Sequence, residues 1–127
     1  MKCIDLEFLN KRTKSNPKLM MEMISLYLEQ TPQLVSTMKK GFHDKDWNSL
    51  YSAVHKMIPS FLPMGISIEF EIMARKVRDY ANTQRQTKGL QGMVIQLEHI
   101  CCQACIELEQ ELDTIKKKTN VWTGVPK

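Results

Sequence analysis

The stretch with the clearest periodic pattern is Asp46-Trp47-Asn48-Ser49-Leu50-Tyr51-Ser52-Ala53-Val54-His55-Lys56-Met57-Ile58-Pro59-Ser60-Phe61. Its large apolar side chains recur every three or four residues, as they do on one buried face of an α-helix. They are Trp47, Leu50, Tyr51, Val54, Met57, Ile58 and Phe61. Asp44 or Asp46 can cap the start of this helix, and the segment ends near Pro63 and Gly65.

His55 lies on the flank of this predicted helix. At about 100° per residue it projects roughly a right angle away from the centre of the apolar face. We therefore expect the imidazole to rest on the helix shoulder with one ring nitrogen accessible, and Lys56 to point almost directly away from the core. The neighbours expected on that flank are Asn48, Tyr51, Ser52, Pro59 and Leu62. Taken alone, such a position is also typical of an ordinary surface histidine.

Segments on both sides carry the same helical pattern. Asn16 followed by Pro17 predicts a helix start, since Asn accepts from free amides and Pro suits the first helical position. This first long helix has the stripe Leu19, Met20, Met23, Ile24, Tyr27, Leu28, Leu34, Val35 and Met38. Pro32 lacks an amide hydrogen and is expected to kink or split it.

Two further helices are predicted downstream. The first follows Ser67 as a cap and carries the stripe Ile68, Ile72, Met73, Val77 and Tyr80. Residues 82–89 are polar and predict a loop. The last helix carries the stripe Leu90, Val94, Leu97, Cys101, Ala104, Leu108, Leu112 and Ile115.

No segment shows the alternation of a strand, so the fold class predicted is all-α. Four long amphipathic segments with short connections favour an antiparallel, up-and-down four-helix bundle. The amphipathic start near Ile4 and Leu9 predicts a short N-terminal capping helix. We expect a single domain over residues 1–127, with a core at about 5–117 and a tail at 118–127.

Composition and charge limit the possible functions. The chain has 127 residues, 43% of them hydrophobic and 25% charged, which suits one soluble domain and excludes most large enzyme folds. Its net charge of +4 is spread out and lacks interleaved aromatics, so nucleic-acid binding is not expected.

Cys101, Cys102 and Cys105 fall on one helical stretch and form no disulfide framework, which favours a reducing compartment. The N-terminus resembles no signal peptide and no apolar run approaches the ~20 residues of a membrane span. We expect a cytoplasmic protein without membrane insertion, and a monomer.

The stretch Ala53 to Gly65 resembles the histidine-containing phosphotransfer (HPt) domain family, whose motif reads roughly A-x-H-x-L-K-G-S-S-x-x-x-G. Ala53, His55, Met57, Ser60 and Gly65 fall at matching positions. The upstream segment 27–34 is similar to the family's L-F-L-E-D-A-P-x-L, and residues 46–50 are similar to its D-W-x-x-L. The resemblance covers about residues 5 to 117.

This resemblance implies a phosphorelay intermediate. His55 would accept a phosphoryl group from the aspartate of one response-regulator receiver domain and pass it to another. The expected partners are receiver domains and a hybrid sensor kinase. The receiver would bring its own Mg²⁺, so no cofactor of the chain itself and no ATP-dependent kinase activity are expected. The supporting or docking residues are expected to be Lys56, Ser60, Asn48, Ser52, Pro59 and Gly65.

The chain departs from the family motif just after the histidine. Ile58 stands at the place of the lysine expected to neutralise the phosphoryl group, Pro59 replaces the glycine, and Phe61 replaces the second serine. Pro59 should also bend the helix one turn below His55. The resulting H-K-[LM]-x-P-x-F pattern is similar to a variant in HPt domains of hybrid sensor kinases. The alternative function is an HPt-like interaction module that binds partners without accepting phosphate.

Histidine and cysteine near residue 100 suggest a third possibility, a metalloprotein bundle. His99, Cys101, Cys102 and Cys105 include two cysteines one turn apart, as two ligands would require. Cys101 lies on the predicted buried stripe, however, and small thiols are common in cores. A full tetrahedral set is missing, so no metal site is expected.

Overall fold

The structure is a computed structural model that describes residues 3–84 and 89–123. These residues form five α-helices and one 3₁₀ turn, with no strand among them. The elements are α1 (Glu7–Arg12), α2 (Pro17–His43), α3 (Trp47–Met57), the 3₁₀ turn (Ile58–Ser60), α4 (Ile68–Thr83) and α5 (Leu90–Thr123). The prediction of an all-α fold is therefore confirmed for the described residues.

Polar side chains cap three of the long helices where the sequence predicts them. The Asn16 side chain accepts from the amides of Lys18 and Leu19 at 3.0 and 3.3 Å. Asp46 accepts from the amide and hydroxyl of Ser49 at 3.2 and 2.8 Å. The Ser67 hydroxyl accepts from the Glu69 amide at 3.4 Å at the start of α4. These caps satisfy amides that have no partner within their own helix, so the local sequence fixes where each helix begins.

The four long helices pack around one apolar core. α2 packs against α3 and α5, and α4 packs against the same two helices. The core side chains come from all of them, and the largest that are fully buried are Phe61, Leu9, Ile24, Met38, Leu50, Met57, Leu97 and Leu108. Burial of such side chains contributes about 1.5–3 kcal/mol each, so this packing dominates the stability of the fold.

The helix predicted to kink or split at Pro32 does not split: α2 continues from Pro17 to His43. Pro32 cannot donate to the carbonyl of Leu28, which costs one backbone hydrogen bond. The residues on either side are held by burial, because Thr31, Val35 and Met38 all lie in the interior. The packing of α2 against α3 and α5 stabilises the helix by more than the missing hydrogen bond at Pro32 costs.

Two further expectations, both about α4, are corrected. Ile68 and Ile72 of the predicted α4 stripe are 62% and 48% exposed, and the buried side chains of α4 are Ala74, Val77 and Ala81. α4 also extends to Thr83, into the predicted loop, whose residues 85–88 lie outside the described part of the chain. α5 extends to Thr123, into the segment predicted as a tail, and residues 124–127 of that segment lie outside the described part of the chain.

An N-terminal segment, residues 3–6, crosses the bundle and connects two distant parts of the chain. The Asp5 amide donates to the Met64 carbonyl at 3.1 Å. The Glu107 carboxylate of α5 accepts from the Cys3 amide at 2.8 Å and from the Ile4 amide at 3.2 Å. The segment therefore ties α5 to the turn that follows α3. Between residues 3 and 84 and between 89 and 123, no helix has the length and apolar character needed to cross a bilayer.

Candidate functional site

His55 lies in the last turn of α3 and is exposed, at the flank position that the helical angle predicts. Its ring stacks on that of Tyr51, one turn earlier, with the ring centroids 5.5 Å apart and the planes 12° from parallel. Val54 and Met57, on the neighbouring face, are buried and fix the rotation of the helix. The burial of that face holds His55 at the surface.

The imidazole borders a shallow cleft of about 540 Å³ between α2 and the end of α3. The cleft is lined by Gln30, Gln33, Leu34, His55, Lys56 and Pro59. Among the residues that the structure describes, none donates or accepts a hydrogen bond at either ring nitrogen of His55. Both ring nitrogens therefore remain accessible to a group that enters the cleft.

Lys56 shares this cleft with His55 and is exposed. The sequence places the two side chains about 100° apart around α3, which by itself separates them. The cleft nevertheless reaches both, because residues of α2 form its opposite wall. Ile58, at the position of the family lysine, is only 8% exposed and belongs to the core. The cation available at this cleft is therefore Lys56 and not a side chain at position 58.

Pro59 lies where α3 changes into the 3₁₀ turn, and it is exposed at the cleft. The α-helix ends at Met57 because Pro59 cannot donate to the carbonyl of His55. Phe61 is fully buried immediately afterwards and anchors the turn in the core. The change in helical geometry predicted one turn below His55 is thus present.

The other residues predicted at the site are only partly brought together. The Ser60 hydroxyl donates to the Met57 carbonyl at 2.7 Å and is half-buried. Asn48 is exposed and Ser52 half-buried on α3, and neither lines the cleft. Gly65 lies in a different cleft, beside the N-terminal segment. Its role there is structural, since an added Cβ would overlap the backbone of Asp5.

The cysteine-rich turn of α5 does not assemble ligands. No group of three or more histidine, cysteine or acidic side chains within the described ranges could hold a metal ion. Cys101 is fully buried with its Sγ 3.7 Å from Met57 Sδ, and burial raises the pKa of this thiol to about 12. Burial likewise raises the pKa of the half-buried Cys105 to about 11. These thiols are protonated at neutral pH and pack as core groups.

Two features of the site were missed from the sequence. The stacking of Tyr51 on His55 was not foreseen, although the spacing of four residues on one helix puts the two rings within reach. The wall formed by Gln30, Gln33 and Leu34 was not foreseen either. These three residues lie in segment 27–34, which is one of the segments that resemble the HPt pattern. That resemblance was the signal in the sequence that could have placed this segment near His55.

Comparison of the chain with models of known protein families, with curated proteins and with solved structures finds no match.

Proposed function

We propose that the protein is an HPt-like phosphorelay intermediate whose phosphoacceptor is His55. The observation that carries the proposal is the exposed imidazole at the α2–α3 cleft, where no group of residues 3–84 or 89–123 hydrogen-bonds to either ring nitrogen and Lys56 lines the same cleft. Residues from two separate parts of the HPt-like pattern, segments 27–34 and 53–65, meet there. The proximity of these two segments at one cleft supports the proposal.

The fold supports the same proposal. We infer that α2 to α5 form an antiparallel, up-and-down four-helix bundle capped by α1. Each of these helices packs against the next in the chain, and α5 packs back against α2, so the four contacts form a closed ring. Short connections between consecutive helices make neighbours antiparallel. A bundle of this kind offers a rigid helix shoulder on which a nucleophile can be held.

The chemistry asked of this site is simple. Nε2 of His55 attacks the phosphorus of an aspartyl phosphate in a receiver domain. The N–P bond forms, the bond between phosphorus and the carboxylate oxygen breaks, and the aspartate carboxylate leaves. Nδ1 keeps its proton, so the ring becomes cationic while it carries the phosphoryl group. Phosphoryl transfer depends mainly on positioning and charge neutralisation, and the receiver's Mg²⁺ and Lys56 supply positive charge.

The partners that fit this chemistry are response-regulator receiver domains and a hybrid sensor kinase in the cytoplasm. A receiver presents its phosphorylated aspartate in an acidic pocket, which suits a chain with a net charge of +4. The protein would act as a monomeric carrier and take no phosphate directly from ATP. Passing the phosphoryl group to a second receiver is the reverse of the step that loads His55.

Phosphotransfer from a labelled receiver tests the proposal. Receiver domains are phosphorylated with radiolabelled acetyl phosphate and Mg²⁺ and then incubated with the protein. We expect label on the protein that is stable in alkali and labile in acid, and at least 100-fold less label in His55→Gln. His43→Gln and His99→Gln are matched controls, because both histidines are exposed away from the α2–α3 cleft. Equal labelling of His55→Gln and wild type would overturn the assignment.

One observation favours a second function, an interaction module that binds receivers without accepting phosphate. Ile58 is buried at the position that corresponds to the motif lysine, so position 58 supplies no cation beside His55. Surface plasmon resonance with the same receivers separates the two functions. Saturable binding with no acid-labile label would support the module, whereas binding with label removed by His55→Gln supports the carrier.

A further inference from the structure

The imidazole of His55 is oriented by one aromatic contact. The rings of Tyr51 and His55 are nearly parallel, at 12°, and their centroids are 5.5 Å apart. This is an offset-stacked geometry, which is favourable for two aromatic rings. Both residues lie on α3 with a spacing of one turn, so the backbone that holds them is rigid.

No hydrogen bond from the described part of the chain competes with this contact. A histidine on a relay site is commonly held by a partner at one ring nitrogen, which selects the tautomer and the ring plane. The residues between 3 and 84 and between 89 and 123 supply no such partner to His55. The ring plane is therefore set by the face of Tyr51 on one side and by the cleft on the other.

Tyr51 is itself placed by the core. Tyr51 is 36% exposed, whereas Leu50 and Val54, which precede and follow it on α3, are fully buried. α3 cannot rotate without exposing those two side chains. The Cβ of Tyr51 therefore stays on the same flank of α3 as His55, and the phenol ring extends from there to stack on the imidazole.

We propose that Tyr51 is the positioning residue for phosphoryl transfer at His55, which it orients by stacking on the imidazole. This inference rests on the proposed phosphorelay function. The lone pair of Nε2 lies in the plane of the ring, so fixing that plane confines the direction from which phosphorus can be attacked. A receiver holds its aspartyl phosphate in a fixed direction as well, and transfer requires the two directions to coincide.

The contact can be tested first without any phosphate. Ring currents of Tyr51 should shift the His55 ring protons in ¹H–¹³C spectra, with the signals assigned through His55→Gln. We expect these shifts to move to the values of an unstructured histidine in Tyr51→Leu and to remain in Tyr51→Phe, which keeps the ring. Unchanged shifts in Tyr51→Leu would show that the rings do not stack in solution and would overturn the inference.

Phosphotransfer kinetics then test the role. At saturating phosphorylated receiver, transfer to Tyr51→Leu should be about three- to tenfold slower than to wild type, from the energy of one aromatic pair. The concentration of receiver at half-saturation should stay within twofold, and Tyr51→Phe should restore the rate. An unchanged saturating rate, or a change only in half-saturation, would overturn the positioning role.

A small donor provides the matched comparison. Phosphoramidate diffuses freely and can meet the imidazole in any ring orientation, so it should phosphorylate wild type and Tyr51→Leu at rates within twofold. An equal loss with both donors would indicate damage to His55 itself and would contradict positioning. Wild-type protein that takes phosphate from phosphoramidate but from no receiver would instead refute the proposed relay.

Discussion

At the scale of single residues, Gly65 marks the place where the N-terminal segment crosses the turn that follows α3. Its φ is +70°, in the left-handed region that glycine adopts without steric cost. A Cβ at this position would overlap the backbone of Asp5, which is held there by its hydrogen bond to Met64. Glycine is therefore required both by the backbone conformation and by the close approach of another segment.

We expect Gly65→Ala to lower the free energy of unfolding by about 2 kcal/mol or more. The left-handed conformation costs an L-residue about 1–2 kcal/mol, and displacing Asp5 sacrifices a hydrogen bond worth about 1 kcal/mol. Urea unfolding followed by circular dichroism measures the loss. Gly89→Ala is the matched control, because Gly89 has a φ of +78° but no atom within 4 Å of an added Cβ. Similar losses in both variants would mean that the contact with Asp5 contributes nothing.

The sequence predicts residue positions well when they depend only on the helix that carries them. The exposure of His55 follows from its angle to Val54 and Met57, and these are neighbours on α3. The proximity of Lys56 to the same cleft could not be predicted in this way, since α2 supplies the opposite wall. Gly65 was predicted as a site residue because of its spacing from His55, whereas its actual neighbour comes from the other end of the chain.

At the scale of elements, α4 shows where periodicity is only partly right, since Val77 of the predicted stripe is buried and Met73 and Tyr80 pack against the core. Ile68 and Ile72 are large and apolar but exposed, while Ala74, Val77 and Ala81 are buried. Small side chains let a helix backbone lie close to its neighbours, so the tightest contact need not involve the largest residues. A buried face identified from the large apolar residues alone therefore overlooks alanines such as Ala74 and Ala81. Helix starts were better predicted, because a cap and the amides it satisfies are only two or three residues apart.

The attachment of the N-terminal segment to α5 depends on one carboxylate. Glu107 is buried and accepts the amides of Cys3 and Ile4 together with the side-chain amide of Gln103 at 2.9 Å. Burial by itself raises the pKa of Glu107, but the hydrogen bonds from Gln103 and from the N-terminal segment outweigh it. The pKa of the carboxyl therefore lies below its ordinary value. The charged form is the one that the folded state favours.

We expect Glu107→Gln to lower the free energy of unfolding by about 1–3 kcal/mol at neutral pH. Both carboxylate oxygens of Glu107 accept hydrogen bonds, whereas a glutamine side chain has only one oxygen that can accept. A carboxyl with a depressed pKa stabilises the fold above its unfolded-state pKa and loses that contribution as the pH falls through the folded-state pKa. The difference between wild type and variant should thus be constant above about pH 5 and shrink below it. Urea titrations at pH 7 and pH 3 measure both values. Glu109→Gln, an exposed neighbour on α5, should show no such convergence.

At the scale of the whole molecule, one apolar core joins all the helices, but the N-terminal segment is less deeply buried than the centre of the bundle. Cys101 is fully buried among α2, α3 and α5, whereas Cys3 is half-buried in the N-terminal segment. Burial and the neighbouring Glu107 raise the pKa of Cys3 to about 11, and Cys102 is exposed on α5. The hydrogen bond from the Cys3 amide to Glu107 joins the N-terminal segment to α5, and no periodic pattern could predict it. Periodicity identifies a buried face but carries no information about which distant segment covers it.

Three of the four cysteines make these differences in burial measurable, because only an accessible thiol can react with an alkylating reagent. Pulse labelling with N-ethylmaleimide, read by mass spectrometry of peptides, should modify Cys102 at once in native buffer. Cys101 should react only through global unfolding, so the logarithm of its rate should rise steeply with urea concentration. The reaction rate of Cys3 should be nearly independent of urea at low urea concentration. We expect residues 3–6 to detach locally while the helices remain packed, and such a local opening exposes little surface. Glu107→Gln should speed that reaction, since it removes the carboxylate that holds the segment. Equal urea slopes for Cys3 and Cys101 would show instead that the N-terminal segment unfolds only together with the whole bundle.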